Sequence, residues 1–263
     1  MTALPPTRHQ ALDAALAAVP VDGPTAEDLL AVARVLDADP FLRRALVDPS
    51  TPVERRAQVV KALFQGKVTA SALSVVQAAV AQNWSDGHAL VRAVERQGIR
   101  AVWRWADREG ILDKVTDELF EAGQLVTKTS DLRRAVTDFT VPTDRRRALV
   151  QGLLGAAVAP QTLALLEHAA VTHNATFEDA IKRDLNLAGQ LRDTMVAVAT
   201  VAQPLSEAQR SRLTAALTRR TGRPVRIQEA IDPNVLGGVR VDLGDDVIDG
   251  TLTARLTAAR RHL

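Results

Sequence analysis

The chain has 263 residues, 46% of them hydrophobic and 24% charged, which is the composition of a folded protein with room for one large domain or two small ones. It contains no cysteine, which excludes a disulfide framework, thiolate zinc sites and a cysteine nucleophile, and fits a reducing compartment. Aromatics are only 3%, too few for a stacking platform or a β-sandwich, and 33 Lys+Arg against 31 Asp+Glu leaves none of the clustered surplus of a nucleic-acid binder.

The opening residues, MTALPPTRHQALDAALAAVP, have no basic segment followed by an apolar one, so no signal peptide is expected. No apolar run approaches the roughly 20 residues of a membrane span. The apolar mass is Ala, Leu and Val, which favours helices. Thr51, Pro52 and Glu54 read as a helix start, with Thr51 as cap, Pro52 at the first helical position and Glu54 completing a capping box. Val59, Val60, Leu63 and Phe64 form an apolar stripe, and Gly66 stands where a left-handed residue ends a helix. Leu73, Val75, Val76, Ala79 and Val80 mark the next helix, and residues 87 to about 109, free of proline, a long one weakened at Gly98.

From there the pattern recurs. At an offset of 90 residues, Leu42-Arg43-Arg44-Ala45 falls on Leu132-Arg133-Arg134-Ala135. Asp48 falls on Asp138, Pro52 on Pro142, and Arg55-Arg56 on Arg145-Arg146. The second copy repeats the helix after Pro142 with Leu149, Val150, Leu153, Leu154 and then Gly155. Val141 stands where a cap is expected, which predicts a weaker start. Leu163, Leu165, Leu166, Ala169 and Ala170 mark the following helix. The long segment therefore closes one copy and opens the other, and the chain divides into a first helical unit over 1–97, a second over 98–192 and a C-terminal part over 193–263.

The texture changes after residue 192. Met195 to Ala202 suits a buried strand, Ser206 and Gln209 a capping box, Gly222 a helix stop, and Val225 to Ile231 a second strand. Val239, Val241 and Leu243 alternate with Arg240 and Asp242 as a half-buried strand, and Gly244-Asp245 turns into Val247-Ile248. A last helix is expected with Leu252, Leu256 and Ala259 on one face and Arg260 and Arg261 in its final turn. The expected class is α+β: two mostly all-α bundle units and a small α/β domain with a mixed sheet.

No phosphate-cradling glycine loop, dinucleotide fingerprint or H-E-x-x-H motif is present, so no catalytic residue, cofactor or metal is expected. His168 and His173 are five apart, on different helix faces, and read as ordinary histidines. Asn83-Trp84-Ser85 and Asn174-Ala175-Thr176 match the glycosylation pattern, which without a secretory signal is chance. Asp242, Asp245, Asp246 and Asp249 lack calcium-loop spacing and read as turn and strand-edge solvation. Asp144-Arg145-Arg146-Arg147 reads as a solvated face with an acidic first turn. Trp103 and Trp105 face different ways on their helix, one as core and the other as an exposed anchor for a partner. A duplicated helical unit without chemistry suggests an adaptor. A helical-repeat adaptor and a basic nucleic-acid-binding helical protein are the alternatives to the reading that follows.

The segment from Ile231 to Leu256, IDPNVLGGVRVDLGDDVIDGTLTARL, resembles the C-terminal signature of the delta subunit family of F-type ATP synthases, the oligomycin-sensitivity-conferring proteins. The residues carrying the likeness are Asp232, Gly237, Gly238, Gly244, Asp245, Ile248, Asp249, Gly250, Arg255 and Leu256, which read as fold determinants. Residues 105–126 and 142–192 resemble the family's earlier and later helices, so about 98–263 matches an ordinary member and 1–97 is an extra copy. The resemblance implies a non-catalytic stator subunit, one per complex, peripheral on the cytoplasmic face of the cell membrane and tied to the membrane only through the stalk. Its implied partners are the N-terminal helices of alpha subunits, held by the helical domain, and the C-terminal end of the b subunit, held by the C-terminal domain; nucleic acid is not among them. An amphipathic partner helix would lie in a groove between the first and fifth helices of the second copy, with Val102, Trp103, Leu163 and Leu166 as candidate lining and core packing as the equal reading of each.

Overall fold

The structure is a computed structural model that describes residues 7–138, 140–172, 175–191, 195–222, 224–243 and 246–251. Its described helices are α1 (Arg8–Ala17), α2 (Gly23–Ala38), α3 (Pro40–Val47), α4 (Val53–Phe64), α5 (Ala70–Val80), α6 (Gly87–Arg108), α7 (Leu112–Lys128), α8 (Ser130–Thr137), α9 (Thr143–Leu154), α10 (Pro160–Val171), α11 (Phe177–Leu191) and α12 (Glu207–Thr221). The strands are β1 (Met195–Val201), β2 (Val225–Ile231), β3 (Arg240–Leu243) and β4 (Asp246–Asp249). The α+β class is as the sequence predicts. Two units emerge, Met1–Leu112 with Leu163–His168, and Asp113–Thr162 with Ala169–Leu263.

The 90-residue offset recurs in the elements themselves. Starts at 40, 53, 70 and 87 reappear at 130, 143, 160 and 177. The span of α1 falls at the offset on 98–107, inside α6, which runs unbroken through residue 98, where the sequence leads one to expect a second copy to begin. The sequence leaves Gly98 as a weak point there, but packing explains the residue. A Cβ added at Gly98 would lie 2.7 Å from Leu30 Cδ2 and 3.1 Å from its backbone nitrogen. The bare glycine lets α2 close onto α6, a gain that offsets its helix-propensity cost of about 1 kcal/mol.

Buried polar contacts recur as well. The amide of Thr69, at the start of α5, donates to Asp28 Oδ2 on α2 (2.6 Å). Ninety residues on, the amide of Ala159 donates to Glu118 Oε2 on α7 (2.8 Å), and Thr162 Oγ1 donates to the same oxygen (2.6 Å). A carboxylate from a neighbouring helix thus answers the orphan amides and the positive end of the dipole in both places. Arg56 is 3% exposed and donates to the carbonyls of Leu46 and Gln82, both at 3.4 Å. Arg146 is 1% exposed and donates to the carbonyl of Ala170 at 2.7 Å. A planar guanidinium is suited to gathering carbonyls where helices end.

Three local expectations are corrected. α4 starts at Val53 with Pro52 as its N-cap and no side-chain cap bond, so Thr51 and Glu54 form no capping box. α9 starts likewise after Pro142, and the two starts are alike. The turn before each is closed instead by an aspartate: Asp48 accepts from the amide and hydroxyl of Ser50, and Asp138 from those of Thr140. The hydroxyl and amide donors hold both carboxyls below the ordinary carboxylate range. Finally, Gly66 is left-handed at φ 75°, but Gly155 is right-handed at φ −59° and is the C-cap of α9.

The sheet has the order β2-β1-β3-β4. β1 and β2 are parallel, with Met195 opposite Val225, and α12 connects them. β3 is antiparallel to β1 and to β4. The capping box of Ser206 and Gln209 is formed, and Gly222 ends α12 at φ 70°. Ala197, Ala199, Leu217, Val225, Ile227, Val241 and Leu243 make the core of this part, with Leu213, Val239 and Ile248 packed against it. The expected last helix, with Leu252, Leu256, Ala259, Arg260 and Arg261, lies outside the described residues, as does the turn at Gly244-Asp245.

Candidate functional site

Val102, Trp103, Leu163 and Leu166 all belong to the first unit, on α6 and α10. Val102, Trp103 and Leu166 are 0% exposed, and Leu163 is half-buried. Side chains without accessible area offer none to an added helix as the structure stands, so only Leu163 faces outward in part. Among the described residues, the buried indole N–H of Trp103 finds no hydrogen-bond partner, an unusual condition for a tryptophan in a core. Trp105 is not an exposed anchor: it is half-buried over Gly23, where an added Cβ would lie 3.0 Å from its ring, and its N–H donates to Glu109.

Polar groups on α6 are engaged in structure. Asp13 on α1 accepts from Arg96 Nη1 (2.6 Å) and Gln97 Nε2 (2.9 Å), with Arg100 Nε at 3.3 Å. Burial pushes the Asp13 carboxyl up, but those hydrogen bonds and the charges of Arg100 and Arg96 outweigh it and hold the group below its ordinary value. His168 on α10, 8% exposed, places Nε2 3.4 Å from Glu95 Oε1 on α6. Sequence reading paired Arg56 with Arg146 at the offset but gave neither a role, and it took Arg146 for part of a solvated face. The structure corrects this, burying Arg146 at 1% exposed to bind the Ala170 carbonyl, while Asp28 and Glu118, also in step at the offset, were passed over.

In the second unit, the described signature residues shape backbone. Gly237 and Gly238 have φ of 75° and 83°. A Cβ on Gly238 would lie 2.5 Å from the carbonyl oxygen of Gly250 and 2.9 Å from Thr251 Cα, so only glycine lets these stretches meet. Gly250 donates its amide to the Val239 carbonyl. Asp232 accepts from the amide and side chain of Asn234, and Asp249 from the amide of Thr251. Ile248 packs on the sheet core. Gly244, Asp245, Arg255 and Leu256 lie outside the described residues. β2 is tied to α7 by Arg226, which donates Nη2 to both carboxylate oxygens of Asp117 at 2.9 Å and pairs with Asp113.

A cleft of about 400 Å³ lies beside β3, with Glu178, Lys182, Asp232, Arg240, Asp242 and Asp249 among its lining. Lys182 sits 2.9 Å from Glu178, whose hydrogen bond raises the lysine above its ordinary value despite burial. Among the described residues, no group of three or more His, Cys, Asp or Glu side chains is placed to hold a metal ion. None of their helices is long and apolar enough to cross a membrane.

The fold therefore defines a class first: an α+β scaffold of repeated helices and a small sheet, whose buried arginines bind its own backbone. The sequence family narrows that class. The family model described as ATP synthase delta (OSCP) subunit matches residues 99–263. Curated relatives share more of the length. The chain is 40% identical over 238 residues to the ATP synthase subunit delta of Nocardioides sp., covering 90% of this chain and 86% of that one. It is 39% identical over 257 residues to that of Kineococcus radiotolerans, covering 97% and 93%, and 37% identical over 238 residues to that of Cutibacterium acnes, covering 90% of each. The chain belongs to the ATP synthase delta (OSCP) subunit family. That membership leaves neither the unrelated adaptor nor the nucleic-acid binder favoured.

Proposed function

We propose that the chain is the non-catalytic stator subunit of the peripheral stalk of an F-type ATP synthase. It links the catalytic alpha/beta head to the membrane-anchored b stalk, so that the head does not turn with the rotor and proton flow stays coupled to ATP synthesis. The carrying observation is the family match over residues 99–263, extended by relatives that cover nine-tenths or more of the chain. As a family member it works bound to other subunits of the synthase.

The finer assignment is that the second helical copy, 98–192, holds the N-terminal helix of an alpha subunit, and that 193–263 holds the C-terminal end of b. One chain serves each complex, peripherally, on the cytoplasmic face of the membrane. The recurrence of helix starts and buried contacts at 90 residues supports reading 1–97 as a duplicated copy. The burial of Val102, Trp103 and Leu166 means that a helix docked between the first and fifth helices would rest on the half-buried Leu163, with those three as the floor beneath.

The test is reconstitution. Membranes stripped of the chain should retain ATP hydrolysis by the head but lose ATP-driven proton pumping, and adding the purified full-length chain should restore pumping. Pumping that is unaffected by its removal would overturn the reading.

A further inference from the structure

The fourth helix of each copy carries the same outward face. α4 and α9 turn Arg56 with Val60, and Arg146 with Val150, inward. On the other side Val59 and Leu63 are 40% and 38% exposed. At the offset, Leu149 is half-buried and Leu153 is 53% exposed. One turn before the first aliphatic stands an exposed arginine, Arg55 or Arg145. At about 100° per residue, positions i, i+4 and i+8 span some 80° of the helix, so each trio is one stripe. Small residues, Ala62 and Gly152, stand beside it, which permits a close interaxial approach.

A single exposed leucine needs no explanation. Recurrence of the stripe's character does: Arg55, Val59 and Leu63 stand against Arg145, Leu149 and Leu153, with the arginine and last leucine identical and the middle residue still aliphatic, while exposed neighbours on the same helices differ in kind, Gln58 against Ala148 and Lys61 against Gln151. We infer that each stripe is a docking face for one amphipathic helix of another synthase subunit, so that one chain grips two such helices. The occupant lays aliphatic side chains on Val59 and Leu63, or on Leu149 and Leu153. The charged member of both stripes is an arginine, so the complementary helix presents a carboxylate there. These faces are separate from the candidate lining on α6 and α10, and the choice of a synthase subunit as partner rests on the stator reading.

The absence of cysteine makes the test clean. Leu63→Cys and Leu153→Cys place one thiol on each face at a surface position, where the fold is retained. Both thiols should react readily with a maleimide in the free full-length chain, and at least about tenfold more slowly in purified synthase, because thiol reactivity follows exposure. Arg55→Glu with Arg145→Glu should weaken rebinding to stripped membranes by about tenfold at low salt, with a smaller effect at high salt. Equal reactivity of both thiols in the free and assembled chain overturns the inference while leaving the stator reading intact. Protection of only one overturns the claim of two faces. A chain that does not enter the synthase at all overturns both readings.

Discussion

Asp13 occupies, one repeat earlier, the place of Trp103. Where the second copy buries an indole, the first gathers Arg96, Gln97 and Arg100 around a carboxylate. Its depressed pKa sets a sign. The Asp13 contribution to stability is present above the unfolded carboxylate value near pH 4 and is lost as pH falls through the lower folded value. Asp13→Asn should therefore lower the urea midpoint at pH 7 and flatten the loss of stability below about pH 4; an unchanged acid profile would remove the residue from that account. Gly238 is a second decisive residue. Gly238→Ala forces an L side chain to φ 83° and drives its Cβ into the backbone of Gly250. It should cost at least about 2 kcal/mol, against about 1 kcal/mol for Gly66→Ala, where φ is equally positive but the space is open. Denaturant midpoints of the two variants decide this.

At the scale of elements, the α2–α6 contact offers a comparison between propensity and packing. Gly98→Ala improves helix propensity by about 1 kcal/mol yet should destabilise the chain by about 1–2 kcal/mol net, because Leu30 cannot retreat without moving its backbone. Gly152→Ala in α9 meets nothing within 4 Å and should stabilise by about 0.5–1 kcal/mol. Thermal melts of both variants measure the balance. Much of this level was legible beforehand. Apolar periodicity located α4, α5, α9 and α10, and the lack of proline foretold α6. The alternation of Val239, Val241 and Leu243 located β3, and the Ser206 and Gln209 pair located the start of α12. What escaped were choices made by distant neighbours. Thr51 is a good cap by type, but Asp48 closes its turn first and Pro52 takes the cap position. One of Trp103 and Trp105 was expected to be an exposed anchor because nothing local reveals that Gly23 lies beneath Trp105. Of the signature glycines, read as fold determinants from the family likeness, Gly237 and Gly238 sit at positive φ, where few other residues can stand. The burial of Val102, Trp103 and Leu166 was not legible, because a stripe that lines a groove and one that fills a core have the same period.

For the whole molecule, the family model begins at residue 99, yet relatives align over up to 97% of the chain. The stretch ahead of residue 99 is therefore largely shared with those relatives. A subunit that resists rotation needs grip and stiffness more than chemistry, and the low aromatic content and spread charge suit broad helix faces. The continuity of α6 adds a constraint of phase. Its 22 residues extend about 33 Å without interruption. Leu90 and Val94 are buried in its first half, and Val102 and Ala106 in its second. A screw has no slack: one alanine inserted after Gly98 would turn every later side chain by about 100° and advance it by about 1.5 Å. Such an insertion, harmless in a loop, should lower the melting temperature by several degrees or prevent folding, and a melt within a degree of the parent would refute it. A helix that runs unbroken through the junction of two repeating stretches thereby fixes the spacing of everything downstream by the pitch of the screw.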